Sequence, residues 1–307
     1  MISEGRESRA EFAEPLQQYA DTGIAQALDM IEKQFERFPE EKDNLPFHNT
    51  AHTRSVVTRV ETILRSMRKI EPFAVRERDI TLGRFAGGRH DTRQKWAEES
   101  TVEGDFTKRM RKRSRIENEQ ASADDAVSYM EEVNQKKTGY EVFSQEDMSI
   151  VREAIMGTVP DFDPKKGVFQ PNLNETSSIV TRALALADLG TAGMDGPEAF
   201  SAEGDALFRE ENLDILDAAH DPGALTDAQK EYFRKRMIGW SKFQPAFASG
   251  RKALFEKEVS GLSAGCKEAL TSLFNRFDES IEATKKRGEV RSTMLFEELL
   301  KDMGYGR

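Results

Sequence analysis

His52, His90, Asp91 and Asp188 are the residues best suited by type to do chemistry together. Imidazole nitrogens and carboxylate oxygens form the mixed ligand set of a divalent metal ion. Three of them fall in phase with apolar residues at helical spacing, and Asp91 directly follows His90. His52 shares a face with Val56, Val60, Leu64 and Met67, His90 follows Leu82 and Ala86, and Asp188 follows Val180 and Leu184. An ionised carboxylate on an apolar face is costly unless it is paired or bound to a metal. The phases therefore point to convergence of the four around one ion, about 2.0–2.3 Å from each ligand. Read singly, His52 is equally a satisfied core histidine, Asp188 a hydrogen-bond acceptor within its helix, and His90-Asp91 a chance dipeptide. A second such dipeptide, His220-Asp221, precedes Pro222-Gly223 with no apolar helix around it and reads as surface structure.

Two imidazoles and two carboxylates leave positions on a six-coordinate ion for water and a substrate oxygen. Such an ion acidifies water and polarises a phosphoryl group. Mixed nitrogen and oxygen ligation suits Mn, Fe, Co, Ni or Zn, and admits Mg. The densest basic stretch, Lys108-Arg109-Met110-Arg111-Lys112-Arg113-Ser114-Arg115, stands between the His90-Asp91 pair and Asn118-Glu119. It reads either as a solvated loop or as a phosphate contact through Arg111 and Arg113. Arg93, nearer to Asp91, is a candidate bidentate clamp on the same phosphate. Glu119 is a candidate partner for a ligand or a water, or a solvated helix residue. Lys165 and Lys166 fall in a loop that could border the site. Trp96 and Phe106 could stack on a base or belong to the core.

These residues need helices to hold them. Apolar positions recur at helical spacing over 15–38, 51–69, 73–86, 119–135, 144–157 and 174–190, and again over 197–218, 226–259, 262–286 and 290–303. Ser144 with Asp147 resembles a capping box. Pro245 should kink or divide its helix. Segments 97–117, 159–173 and 219–225 read as loops. No period-2 run stands out, which predicts an all-α fold with little or no sheet. The expected organisation is a frayed N-terminus over 1–14, a helical core over 15–218, and C-terminal helices over 219–307 packed on that core.

At this point the residues resemble a family. Phe47-His48-Asn49-Thr50-Ala51-His52, then His90-Asp91, then Ala187-Asp188-Leu189 resemble the H…HD…D pattern of HD-domain metal-dependent phosphohydrolases. The opening F-H-N-x-x-H is also similar to the start of the cyclic-nucleotide phosphodiesterase metal site. Asn118-Glu119-Gln120-Ala121-Ser122-Ala123 resembles a segment of a bacterial subfamily of HD phosphohydrolases. The likeness covers roughly 44–190. It implies an HD-domain-like helical bundle with catalytic Asp91 among the ligands. It also implies hydrolysis of a phosphate ester of a small metabolite, a nucleotide foremost. His48 matches the position of the general acid, although a residue at a helix start explains it equally. Gln94 stands where many dinuclear relatives carry a further histidine, which implies one ion per chain with Asp91 as a terminal ligand. Gly87-Gly88 and the long segment 97–117 also depart from the family pattern.

Composition narrows the alternatives. Forty-five Lys and Arg against fifty-five Asp and Glu give a net charge of −10, which argues against bulk nucleic acid or an anionic membrane as partner. A single cysteine, Cys266, excludes an internal disulfide and suits a reducing, cytoplasmic compartment. The first residues lack the apolar segment of a signal peptide, and no run approaches eighteen apolar residues. No glycine-rich phosphate loop is present, so NTP-driven chemistry is not expected. Two other readings remain: a catalytically silent metal- or nucleotide-binding regulatory protein, and an HD-type iron oxygenase. The second would need histidines that this chain lacks. Oligomeric state is open.

Overall fold

The N-terminal periodic segment folds as α1 (Ala13–Phe35) in the computed structural model, which describes residues 13–38, 41–114, 116–137, 139–163, 167–174 and 176–306. The expected fraying at the N-terminus lies largely outside these residues. Helix α2 (Thr50–Ile70) is capped by Asn49, whose side chain accepts the His52 N–H at 2.9 Å. Its buried face carries His52, Val56, Val60, Ile63, Leu64 and Met67. Helix α3 (Glu77–Arg89) starts later than its pattern suggests because 71–75 forms a turn, with Val75 N–H on the Glu71 carbonyl at 3.0 Å. It then runs on through Gly87-Gly88. A Cβ at Gly88 would stand 2.9 Å from Ile24 Cγ1, and one at Gly83 would stand 2.6 Å from Leu64 Cδ1. The glycines therefore let α3 lie tight against α1 and α2, which outweighs their poor helix propensity.

Helices α4 (Glu117–Gln135), α5 (Gln145–Met156) and α6 (Ile179–Asp188) complete the bundle around His52. The Ser144–Asp147 capping box forms at the start of α5. Val60, Leu64, Phe85, Met130, Ile155 and Leu184 meet in one core. After the short α7 (Thr191–Met194), the expected 197–218 helix is two, α8 (Pro197–Glu211) and α9 (Leu213–His220), meeting at Asn212. Helix α10 (Asp227–Glu258) runs undivided through Pro245. The expected 262–286 helix is also two, α11 (Ala264–Leu273) and α12 (Phe277–Arg291), and α13 (Phe296–Asp302) ends the chain. Phe255, Leu270 and Phe274 join the core of the N-terminal bundle. A second cluster spans the 218/219 position, joining Phe208, Ile215 and Leu216 to Met237, Phe296 and Leu299.

The fold class is all-α as expected, but segment 97–117 is not a loop. Strands β1 (Trp96–Glu103) and β2 (Phe106–Arg113) form an antiparallel hairpin turning at Gly104, whose φ is 64°. Most of β1 is exposed and β2 is rich in charge, so the ribbon buries no apolar face and shows no hydrophobic alternation. Ladder hydrogen bonds and ion pairs such as Lys112–Glu99 at 3.2 Å hold it together. Its tip docks on α10 through the Phe106–Tyr232 stack, with ring centroids 4.6 Å apart. Its base is tied by Ser114 N–H to the Lys95 carbonyl at 3.0 Å. A smaller ladder, β3 (Asp161–Asp163) with β4 (Gly167–Phe169), occupies the expected 159–173 loop. Among the described residues no helix is long and apolar enough to cross a membrane.

Candidate metal centre

The N-terminal turn of α2 and the C-terminal ends of α3 and α6 meet below a cavity of about 730 Å³. His52 Nε2 lies 3.4 Å from Asp188 Oδ1 and 3.6 Å from Asp91 Oδ2. His90 Nε2 lies 3.1 Å from Asp91 Oδ2 and 3.4 Å from Asp188 Oδ1. Ligands about 2.1 Å from one ion, separated by 90–110°, stand about 3.0–3.4 Å apart, so three of these spacings match and the fourth is slightly long. His52, His90 and Asp91 form a buried group able to hold a metal ion, and Asp188 adds a fourth donor beside them.

The donor atoms are also chemically available. Both Nε2 atoms are buried without a hydrogen-bond partner. His90 Nδ1 is 2.8 Å from the Gly87 carbonyl, which can only accept; Nδ1 therefore carries the proton and, in the neutral ring, the Nε2 lone pair faces the carboxylates. Burial alone would lower the His52 pKa, but Asp188 and Glu203 outweigh it and hold the ring up to about 9. His90 is raised in the same way, with burial overcome by Asp91 and Asp188. Both aspartates sit well below the usual carboxylate range despite burial, Asp91 chiefly through His90 and Asp188 through His52 and His90. Without a metal the cluster therefore holds protons between its carboxylates. A divalent cation would supply the same positive charge and leave both rings neutral.

Two acids on α8, Glu203 and Glu210, complete the site and are absent from the sequence-based expectation. Glu203 Oε1 lies 3.9 Å from His52 Nδ1 and 3.1 Å from Arg59 Nη2, and its other oxygen accepts from Thr191. Burial would raise its carboxyl, but His52 and Arg59 hold it at about 2. Arg59 also donates to the Ala187 carbonyl at 3.1 Å, next to Asp188. Glu210 is 2 % exposed and faces His48, Nδ1 to Oε1 at 2.5 Å. Its Oε2 accepts the N–H groups of Phe47 and His48 at 2.9 and 3.1 Å. A signal was present: Glu203, Leu207 and Glu210 share one helical face with Phe200.

Gln94 Nε2 donates to Asp91 Oδ1 at 2.8 Å, and Gln94 Oε1 accepts from Arg113 Nε at 2.9 Å. Arg113 Nη2 is buried without a hydrogen-bond partner, 3.7 Å from Asp91 Oδ1 and 3.6 Å from Glu119 Oε1. Glu119 Oε2 is likewise unpartnered, and burial raises its carboxyl against the pull of Arg113.

Other expected contacts lie elsewhere. Arg93 does not line the cavity, because Asp125 at 2.5 Å draws its guanidinium aside. Arg111 does line it, yet its guanidinium is anchored by the Lys42 and Asn44 carbonyls and lies over the Trp96 ring at 4.7 Å, a largely structural use. Neither Trp96 nor Phe106 lines the cavity, and His220 is exposed outside it. Lys165 and Lys166 lie outside the described residues. No protein-family model, curated protein or solved structure matches this chain.

Proposed function

We propose that the protein is a cytoplasmic, metal-dependent phosphohydrolase acting on a phosphate ester of a small metabolite, with a nucleotide as the first candidate. The observation that carries this reading is the pair of unpartnered Nε2 atoms of His52 and His90 facing Asp91 and Asp188 beneath an open cavity. The likeness of His48, His52, His90-Asp91 and Asp188 to the HD pattern supports the same chemistry. A divalent cation among these four side chains would polarise a phosphoryl oxygen and make water acidic enough to attack phosphorus near neutral pH.

The chain's own residues do the rest. Gln94 orients Asp91 through its outer oxygen. The free Nη2 of Arg113 binds a phosphoryl oxygen and offsets charge that builds there. Glu210 accepts the proton-bearing Nδ1 of His48, which turns Nε2 toward the cavity as proton donor to the leaving oxygen. Glu119 offers its unpartnered oxygen to the attacking water. The balance is one ester and one water giving one alcohol and one inorganic phosphate.

Metal analysis of the purified chain, followed by phosphate release from nitrophenyl phosphate with Mn, Fe, Co, Ni, Zn and Mg in turn, tests the proposal. One ion per chain with metal-dependent release supports it. Bound metal with no release from any ester rejects the hydrolase reading and leaves a binding protein.

A further inference from the structure

The walls above the cluster carry information about the rest of the substrate. Helix α10 turns Trp240, Gln244 and Phe247 into the cavity at i, i+4 and i+7, one helical stripe. Helix α8 adds Phe200 and Leu207 from the face that also bears Glu203. The Phe200 and Phe247 rings stack with centroids 5.9 Å apart and planes 20° apart. Trp240 has its N–H satisfied by the Gly204 carbonyl at 3.0 Å, so its ring needs no further polar partner. A volume of about 730 Å³ exceeds what one phosphate fills and lies in the range of sites for ring-bearing ligands.

Charge sets a second limit. Among the described residues, Asp91, Glu99, Glu119, Asp188, Glu203 and Glu211 border the cavity, against the basic side chains of Arg111, Lys112 and Arg113. Arg111 is already anchored by two main-chain carbonyls, and the Lys112 side chain is 66 % exposed. Arg113, half-buried with its Nη2 buried and unpartnered, is therefore the cation positioned for an anionic group. One phosphoryl group matches a divalent ion plus one guanidinium. A polyphosphate would bring its further charges against carboxylates.

From this combination we infer that the site selects monophosphate esters of bulky apolar ring systems and turns away polyphosphates. The inference rests on the phosphohydrolase reading for its chemistry: water adds to phosphorus, the ester P–O bond breaks, and the ring alcohol leaves with a proton from His48. Its selectivity can be read independently of turnover.

The experiment is calorimetric binding of phosphonates to the full chain loaded with Mn²⁺, since a P–C bond cannot be hydrolysed. Naphthylmethylphosphonate should bind at least about tenfold more tightly than methylphosphonate. Phe247→Ala, checked for an unchanged circular dichroism spectrum and metal content, should remove most of that difference and leave methylphosphonate binding unaltered. Phe247→Leu should retain an intermediate preference. Adenosine monophosphate should displace the naphthyl ligand at lower concentration than adenosine triphosphate. Equal affinity for the two phosphonates, or stronger displacement by the triphosphate, overturns the inference. Selective binding without release of phosphate from naphthyl phosphate rejects the hydrolase reading alone.

Discussion

Glu210 closes on His48 from behind, taking the ring nitrogen at 2.5 Å with one oxygen and two main-chain N–H groups with the other. One carboxylate thus holds both the imidazole, through Nδ1, and the main chain that carries it, and the second ring nitrogen is left for the cavity. If His48 protonates the leaving group, His48→Ala should retain metal and lose about 10²–10⁴-fold in rate on an alkyl phosphate. Nitrophenyl phosphate, whose leaving group needs little protonation, should lose far less. An equal loss on both esters, measured by phosphate release, would remove the acid role.

Asp91→Ala should abolish bound metal and phosphate release together. The substitution removes one ligand and leaves His90 facing a cavity with half its negative charge. Elemental analysis of the folded variant decides the matter, and full metal occupancy would discard Asp91 as a ligand.

Metal affinity should fall with acid. Without a metal, Asp188 and Glu203 push the His52 ring up to about 9, above its ordinary 6.5, against the burial that lowers it. An incoming ion must displace that proton and the one that Asp91 and Asp188 hold on His90, so below about pH 9 its apparent affinity weakens by at least about tenfold per pH unit. Calorimetry at pH 7 in buffers of different ionisation enthalpy should register proton release on binding. The metal-free fold should show the linked effect. A pKa raised by folding adds stability that is complete below 6.5 and disappears as pH rises through about 9. Melting temperature without metal should therefore drop across that window, and a flat profile would contradict the His52 assignment.

Arg113→Ala should leave one ion per chain and reduce kcat/KM about 10–150-fold, the equivalent of about 1.5–3 kcal/mol for a hydrogen bond to a charged group. Arg113→Lys should recover only part of this, because a lysine cannot bind Gln94 and a phosphoryl oxygen in one plane. Metal loss in either variant would assign Arg113 to the ligand scaffold instead.

His52 and Asp188 were legible as candidate ligands because each rides on a helix whose apolar period fixes its direction, as His52 does with Val56 and Val60, whereas His90 and Asp91 stand just past the end of α3 and were legible as a dipeptide. Their meeting at one point could not be read from the period alone, since it depends on how α2, α3 and α6 cross. Glu203 and Glu210 escaped notice because acids are common on helices, and only the packing of α8 turns these two inward. Arg93 and Arg113 looked alike in sequence. Asp125 claims the first, and the register of the hairpin delivers the second to Asp91. That hairpin was invisible because its strands bury no common apolar face.

Under the proposed chemistry, helix α8 would act as a ruler. It braces His52 through Glu203 and His48 through Glu210, seven residues or about 10.5 Å further along its axis. The separation between the candidate metal site and the candidate acid would thereby be written into a rigid rod that lies outside the 44–190 stretch bearing the candidate ligands. A shortened chain ending at residue 190 would keep all four candidate ligands and His48 but lose both Glu203 and Glu210.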